Sequence, residues 1–445
     1  MFSRIFAVIR LSAAVLVAGI CLHAHAQDAS SQPPLTLTLQ DALARAKANS
    51  VQFQLALTER GLAHEDKVQS RAALLPSVNY NSSYIYTEGN GTASGVFIAN
   101  NGVHEYLNQG DVHQVLGLAQ ISDYRRTQAL EAVARAKAEI AARGLVVTVV
   151  QTYYGLIAAQ HRYANVQQAA LEAQKFLLLS QKLESGGEVA HADVIKAQIQ
   201  YQDRQRDLRE AELSMQKFHL DLAVLLFPNF NENFTVVDDT QLAPPLQSFD
   251  DVSRLAEIKN PELRAASAFA QAAGFEVSAS RGALFPTLTL DYFYGIDALH
   301  FATQSTIFIP ERLRVNNLGY SATATLSVPL WNWGANRSKV IQADLRRKQA
   351  ERELSLAQRK LLADIRSIYQ EAETARYELD LLKSSAELAS ESLRLTTLRY
   401  QAGEATVLEV VDAQNTLTTE QNAYSDAQLR YRLALANLQT LTGTM

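Results

Sequence analysis

Residues 336–445 carry an apolar repeat with a period of seven, the feature that most restricts what this chain can fold into. One row comprises Leu361, Ile368, Ala375, Leu382 and Ala389, and it resumes at Val410, Leu417, Tyr424, Tyr431 and Leu438. A companion row comprises Ile365, Ala372, Leu379, Ala386 and Leu393, then Ala413, Glu420, Ala427, Ala434 and Leu441. A sustained repeat of seven is typical of supercoiled helices whose apolar seam is covered by neighbours. The break around Gly403 predicts a helical hairpin, and the many alanines predict close packing within a larger assembly.

The same pattern occurs a second time, 216 residues earlier in the chain. Gly187 then corresponds to Gly403, and Tyr153 corresponds to Tyr369. The apolar row after Gly403 corresponds to Val194, Tyr201, Leu208, Met215 and Leu222. We interpret the chain as a tandem duplication in which each repeat contains a helix, two strands, a long helix, a tip hairpin and a second helix. The chain is predicted to consist of a signal segment at residues 1–26, repeat 1 at 27–227, a proline-bearing linker at 228–249 and repeat 2 at 250–445.

Residues 1–26 have the pattern of an export signal, with two arginines, an apolar stretch and Ala24-His25-Ala26 as a cleavage site. Cys21 is the single cysteine, and the bulky Ile20 before it argues against cleavage and lipid attachment at that point. Cleavage after Ala26 leaves an exported chain without cysteines, so we expect no disulfides.

After Pro76 and Pro286 the period changes from seven to two, which predicts strands. Apolar residues alternate with polar ones over 287–294 and 318–328, less regularly over 78–86, and vaguely within 105–120. Four strands of about ten to twelve residues are long enough to cross an outer membrane when tilted, although such strands also occur in soluble sandwiches. Because no run of 18 apolar residues follows the signal, we expect any membrane crossing to use a β-barrel. Tyrosines on the strands, together with Trp331 and Trp333, favour the membrane interpretation.

A long helix is predicted after each strand pair. The first spans 123–182, and the second begins near Trp333. Matching Tyr124 to Trp333 predicts that the second helix is one heptad longer than the first.

The composition excludes several classes of function. A formal net charge of −5, spread in mixed signs along the helices, gives no indication of nucleic-acid binding. The histidines have no metal-ligand spacing, and the glycine-rich loop at 89–95 lacks the Lys-Ser/Thr of a phosphate loop. With no nucleophile elbow, we expect neither an enzyme nor a bound cofactor or metal.

Carboxylates cluster at the two predicted hairpin tips. Asp193 follows Gly187 by six residues, Glu409 follows Gly403 by six, and Asp412 lies three residues further on. Carboxylates around a constriction would attract cations to a pore. Carboxylates near a helix start also simply complement the helix dipole, so the residues alone leave both interpretations open.

The order of these features resembles a TolC-type outer-membrane efflux protein along essentially the whole mature chain. The matching features are Leu37–Leu43 with Asn49, the two proline-initiated strand pairs, Tyr400-x-x-Gly403-Glu404, and Val410–Gln414. The resemblance implies a mostly α-helical trimer. Each protomer would give four strands to a twelve-stranded outer-membrane β-barrel, and its helices would form a periplasmic α-barrel with the linker at the equator.

The resemblance also assigns roles to individual residues. Glu409 and Asp412 match aspartates that ring the periplasmic entrance, with Glu replacing Asp at the first position. Asp193 and Tyr400 match residues that tie neighbouring tip helices together in the closed state. The best-known member has an arginine where this chain has Ala405, which weakens the analogy for the closing tie. The tips at Gly187-Glu188 and Gly403-Glu404 match the docking points of a periplasmic adaptor.

These features predict a passive exit duct in the cell outer membrane that extends into the periplasm. It would cooperate with an inner-membrane pump through the adaptor, as in multidrug efflux. Two alternatives remain open: a duct of the same fold for protein secretion, and a structural or adhesive surface coiled coil. The strand alternation disfavours the second alternative, since an adhesin has no use for lipid-facing strands.

Overall fold

The computed structural model describes residues 35–86, 104–229, 233–240, 244–298 and 317–443. The predicted signal, Cys21 and the 89–95 loop lie outside the described residues, as does most of the loop predicted between the last two strands. The helices are α1 (Leu39–Asn49), α2 (Val51–Ala72), α3 (Leu118–Ser185), α4 (His191–Leu226), α5 (Phe249–Lys259), α6 (Pro261–Gly282), α7 (Ala335–Gln401) and α8 (Val407–Thr442). The strands are β1 (Leu35–Leu37), β2 (Ser77–Tyr86), β3 (His104–Leu116), β4 (Phe234–Val236), β5 (Thr287–Ala298) and β6 (Leu318–Ser327).

The short helices α1–α2 and α5–α6 have matching start signals. Thr38, Ser50, Ser248 and Asn260 cap the four helices, and each side chain accepts a hydrogen bond from the backbone N–H three residues later. The order of two short helices, two strands, a long helix and a shorter helix thus occurs twice along the described chain.

The two longest helices, α3 and α7, have 68 and 67 residues, each about 100 Å long at 1.5 Å per residue. They pack against α4 and α8 respectively, and α6 packs against both of them. The rows of sevens face inward: Leu361, Ile365, Ala372, Val410 and Tyr431 are all buried. The coiled packing inferred from the heptads is therefore present within one chain.

The prediction that the second long helix exceeds the first by one heptad is wrong. Helix α3 begins at Leu118 rather than at Asp123, because strand β3 ends at Leu116 and Gly117 stands directly before the helix. Asp123 lies inside this helix and pairs with Arg126 one turn further along, at 2.8 Å. The apparent difference arose from matching Tyr124, which lies inside α3, to Trp333, which lies before the start of α7.

Helix α3 also bears on the expectation that no helix after the signal can cross a membrane. Among the described residues it is long and apolar enough to do so by length and composition, with a mean hydropathy of 1.3 over an 18-residue window. The expectation was therefore too strict. Of that window 44% is buried, and a packed core helix passes the same test. Val149, Val150, Leu156 and Ile157 of α3 lie in a core cluster, so packing accounts for its apolar character.

Two sheets complete the described structure. Strands β2, β3, β5 and β6 form an antiparallel sheet in that order, with β3 paired to β5 across the two halves of the chain. Strands β1 and β4 form a short parallel pair that holds the linker against the start of the described chain. The parallel pair was not predicted, because three residues give too short a pattern to read.

Candidate functional site

Both hairpin tips close with the same backbone motif. At the first tip, Glu188 N–H donates to Leu183 O at 2.9 Å, and Gly187 has a φ of 80°. At the second tip, Glu404 N–H donates to Arg399 O at 2.8 Å, and Gly403 has a φ of 76°. This helix ending requires a residue in the left-handed backbone conformation, which glycine adopts without steric cost. The two glycines identified from the sequence therefore set the geometry of both tips.

Different side-chain contacts span the two tips. His191 Nδ1 lies 2.6 Å from Glu184 Oε1 across the first tip. Arg399 lies 3.4 Å from the Glu409 carboxylate across the second, and it also donates to the Glu404 carbonyl at 3.0 Å. The sequence reasoning missed Arg399. Its position in the last turn of α7, where a positive charge complements the helix dipole, could have identified it from the sequence.

Glu409 pairs with the capping residue Thr406 at the start of α8. Its carboxylate accepts hydrogen bonds from the Thr406 N–H at 3.2 Å and from the Thr406 hydroxyl at 3.1 Å. The Thr406 hydroxyl accepts a bond from the Glu409 N–H in return, which completes a capping box. These bonds, the backbone one foremost, and the nearby Arg399 hold the pKa of Glu409 below its usual range. Glu409 therefore performs the helix-start role that the sequence left open.

Asp412 and Asp193 have different surroundings. Asp412 is exposed one turn along α8, and its carboxylate forms no ion pair within the described chain. Asp193 lies in the first turn of α4 and pairs with Lys196 at 3.3 Å. The second tip is thus the more acidic, because Asp412 occupies the position that Lys196 occupies at the first.

Tyr400 joins two tip helices, but not through Asp193. Its buried hydroxyl lies 3.1 Å from Ser180 Oγ on α3, and its ring packs 5.0 Å from Phe176. Ala405 packs partly buried against the same apolar cluster. Ser180 was not found from the sequence, since a serine in a heptad seam gives no signal before its neighbour is known.

The four-stranded sheet has its polarity reversed relative to a soluble sheet. One face, the outer face, carries mainly apolar and aromatic side chains, with Ser82, Asn108 and Gln114 among them. The opposite face, the polar face, carries mainly hydroxyl, amide and carboxylate groups, with Leu107, Val115 and Phe293 among them. On the outer face Tyr80 is 70% exposed and Tyr320 is 76% exposed. Trp331 and Trp333, just beyond β6, are also largely exposed. Exposed aromatics opposite a polar face are typical of strands that contact lipid. The apolar and aromatic residues of the outer face include Val78, Tyr80, Tyr84, Val112, Leu288, Leu290, Tyr292, Tyr294, Tyr320 and Leu326.

The polar face contains two separate groups of hydrogen-bonded side chains. Asp111 is buried and accepts from the amides of Asn79 at 3.2 Å and Asn81 at 2.5 Å. His113 Nδ1 lies 2.6 Å from Asp291 Oδ1 on the adjacent strand. Among the described residues no group of three or more His, Cys, Asp or Glu is arranged to hold a metal ion.

The linker is held by tyrosine hydroxyls from the long helices. The buried Tyr153 hydroxyl lies 3.0 Å from Leu37 O and 2.8 Å from Val237 O, and it accepts from Val237 N–H at 3.1 Å. The equivalent Tyr369 donates to Gln247 O at 3.1 Å. The equivalent residues Tyr153 and Tyr369 thus have the same structural role, because each binds the linker to a long helix.

The chain is similar to proteins of known class. Residues 252–444 match the family described as outer membrane efflux protein. Over 408 residues the chain is 24% identical to outer membrane protein TolC of Vibrio cholerae, covering 90% of this chain and 89% of that protein. It is 23% identical to the alkaline protease secretion protein AprF of Pseudomonas aeruginosa, covering 92% of this chain and 85% of that protein. The crystal structure of the outer membrane protein VceC from Vibrio cholerae matches with a TM-score of 0.77 at 17% identity, covering 91% of this chain and 96% of that one.

The fold is therefore that of the outer-membrane channels, mostly helical with a β part, as the sequence predicts. The second half of the chain matches the outer membrane efflux protein family, and nearly the whole chain is similar to TolC-type proteins, in agreement with the resemblance noted from the sequence.

Proposed function

We propose that the chain forms a passive exit duct in the outer membrane, through which small molecules leave the periplasm. The observation that carries this proposal is the reversed four-stranded sheet, joined directly to helices about 100 Å long. Such a sheet places one end of the molecule in lipid, and the helices extend from it into the periplasm. A duct makes and breaks no bonds, so we propose no enzymatic activity and no cofactor.

The duct requires more than one copy. Strands β2 and β6 are the edges of the described sheet, and an open edge in lipid leaves backbone N–H and C=O groups without partners. Bacterial single-chain barrels have at least about eight strands, so four strands must be supplemented by other copies. We propose a homotrimer with a twelve-stranded barrel, the number that the family implies.

The tips are the proposed contact with partner proteins. Gly187-Glu188 and Gly403-Glu404 would dock a periplasmic adaptor, which connects the duct to an inner-membrane pump. Asp412 and Glu409 would line the entrance, where three chains gather six carboxylates (two per chain). Asp193 would pair across neighbouring tips in the closed state, and the bond between Tyr400 and Ser180 would add a tie within each chain.

Replacing the entrance carboxylates tests this assignment. In planar bilayers Glu409→Ala with Asp412→Ala should lower cation preference and weaken block by multivalent cations. Unchanged conductance and block would mean that both carboxylates serve the helix start alone.

A second candidate function is protein secretion, because the alkaline protease secretion protein aligns over 92% of this chain. Deleting the gene separates the two. Small-molecule efflux predicts higher sensitivity to toxic small molecules and an unchanged set of secreted proteins, with complementation restoring resistance. Loss of a secreted protein without any change in sensitivity would favour the secretion duct.

A further inference from the structure

His113 is the one basic side chain on the polar face of the sheet among the residues that the structure describes. It lies directly opposite Asp291 in the pairing of β3 with β5, so the two side chains share that face. Their closest atoms are 2.6 Å apart, and the side chains are 43% and 24% exposed. The pair is therefore both formed and open to solvent.

The other strands place few titratable groups near this pair. Strand β2 contributes Ser77 opposite His113, and β6 contributes Thr323 opposite Asp291, neither of which titrates. Asp111 lies two residues from His113 on β3, and Asp297 lies six residues from Asp291 on β5. The described surroundings of His113 are thus carboxylates and uncharged groups.

The pair has a defined level in the sheet. His113 is three residues before the end of β3 at Leu116, and α3 begins at Leu118. At about 3.4 Å per residue, the pair lies about 10 Å from the end of the sheet that joins the long helices. This level is separate from the tip carboxylates, which lie at the far ends of those helices.

We propose that His113 and Asp291 set a pH-dependent preference for small cations inside the barrel, at a level distinct from the entrance at the tips. This inference rests on the proposed function, because the polar face lines a lumen only if the sheet closes into a barrel. Carboxylates in a water-filled passage attract cations. Histidine is the side chain that ordinarily changes charge between pH 5 and 8, and an imidazolium beside Asp291 cancels the charge that a passing ion meets.

The expected change is large enough to measure. Three copies would place six carboxylates at this level, counting Asp111 and Asp291 of each chain, and three protonated histidines would halve that net charge. We expect the ratio of cation to anion permeability to fall about twofold between pH 8 and pH 5.

The experiment measures reversal potentials of the full-length protein in planar bilayers, under a potassium chloride gradient, at several pH values from 8 to 5. His113→Asn should keep the cation preference that the wild type shows at pH 8 down to pH 5. Asp291→Asn should lower the preference already at pH 8. His113→Gln serves as a second variant if His113→Asn forms no channels.

His161→Asn is a matched control, because His161 forms a similar pair, 2.7 Å from Asp238, but at the linker and away from the sheet. It should retain the pH dependence of the wild type. A wild-type preference that does not change with pH, or a change that survives in both His113 variants, overturns this inference and leaves the duct intact. A folded, membrane-inserted wild type without any ion conductance would instead contradict the proposed function, and this inference with it.

Discussion

The hydroxyl of Tyr400 lies 3.1 Å from the hydroxyl of Ser180, and this buried contact joins the two long helices at the tip of the molecule. Within one chain it connects the first tip hairpin to the second. A movement that separates the two hairpins at this level must break the contact between Tyr400 and Ser180. Both hydroxyls would then need new partners.

Tyr400→Phe removes this bond and keeps the ring packing on Phe176. Because a buried hydrogen bond contributes about 1 kcal/mol, the equilibrium should shift about fivefold towards separated tips. Longer open times of single channels in planar bilayers would report the shift. Ser180→Ala should have the same effect, and the double variant should add little. Fully additive effects of the two changes would show that the hydroxyls act independently.

Glu409→Gln tests the pH dependence of the second tip. The pKa of Glu409 is lowered in the folded chain, chiefly by the Thr406 N–H, so its stabilising contribution is present above the usual pKa of about 4.5. That contribution is lost as the pH falls through the lowered value. The Gln variant should therefore exchange amide hydrogens faster than the wild type at residues 407–410 at pH 7, and the difference should shrink below pH 4. Asp412→Asn removes an equal charge without touching the cap, and it should leave this exchange unchanged.

Tyr153→Phe should loosen the linker more than Tyr369→Phe does. The Tyr153 oxygen is buried and makes three contacts, whereas Tyr369 is half-buried and makes one. A loss of about 1 kcal/mol corresponds to about fivefold faster amide exchange over residues 233–240 in the Tyr153 variant. Equal exchange in the two variants would mean that the burial of Tyr153, rather than its hydroxyl, holds the linker.

Gly403→Ala and Gly187→Ala should each destabilise a tip by about 1–2 kcal/mol, because both glycines have a left-handed backbone conformation that alanine adopts only with strain. A Cβ at either position meets no atom within 4 Å, so the cost comes from the backbone alone. Gly61→Ala, which is also free of contacts but lies inside helix α2, should instead stabilise the chain slightly. Limited proteolysis at the tips would measure the difference, and tips that resist cleavage as well as the wild type does would contradict this reading.

The sequence was most informative where the pattern lies within a single helix or strand. The rows through Val410 and Leu361 identified buried seams, and the alternation after Pro286 identified strand β5, because periodicity is a local property. Strand β3 was vague, since Asn108, Gly110 and Gln114 interrupt its apolar face and Leu107 and Val115 lie on its polar face. The first long helix was placed too late, at Asp123 instead of Leu118, because the end of the vague strand before it could not be located from the sequence.

The contacts of the candidate sites were not predictable in the same way. Tyr400 was identified, but its partner Ser180 is 220 residues away and on another helix. The pair of His113 and Asp291 depends on the register between strands from different halves of the chain, which neither strand reveals alone. The resemblance implies that Asp193 and Tyr400 tie neighbouring tip helices together, and this role remains a proposal. Within the described chain Asp193 pairs with Lys196 of its own helix, a contact that the resemblance did not supply.

The central claim is that this chain forms a membrane duct only together with copies of itself. The most direct test is the mass of the folded, detergent-solubilised protein, measured by mass photometry with the detergent contribution subtracted. We expect one dominant species at three times the mass of a single mature chain, because four strands cannot close a barrel in lipid. A folded, heat-stable monomer extracted from the membrane would contradict the barrel and the duct that depends on it.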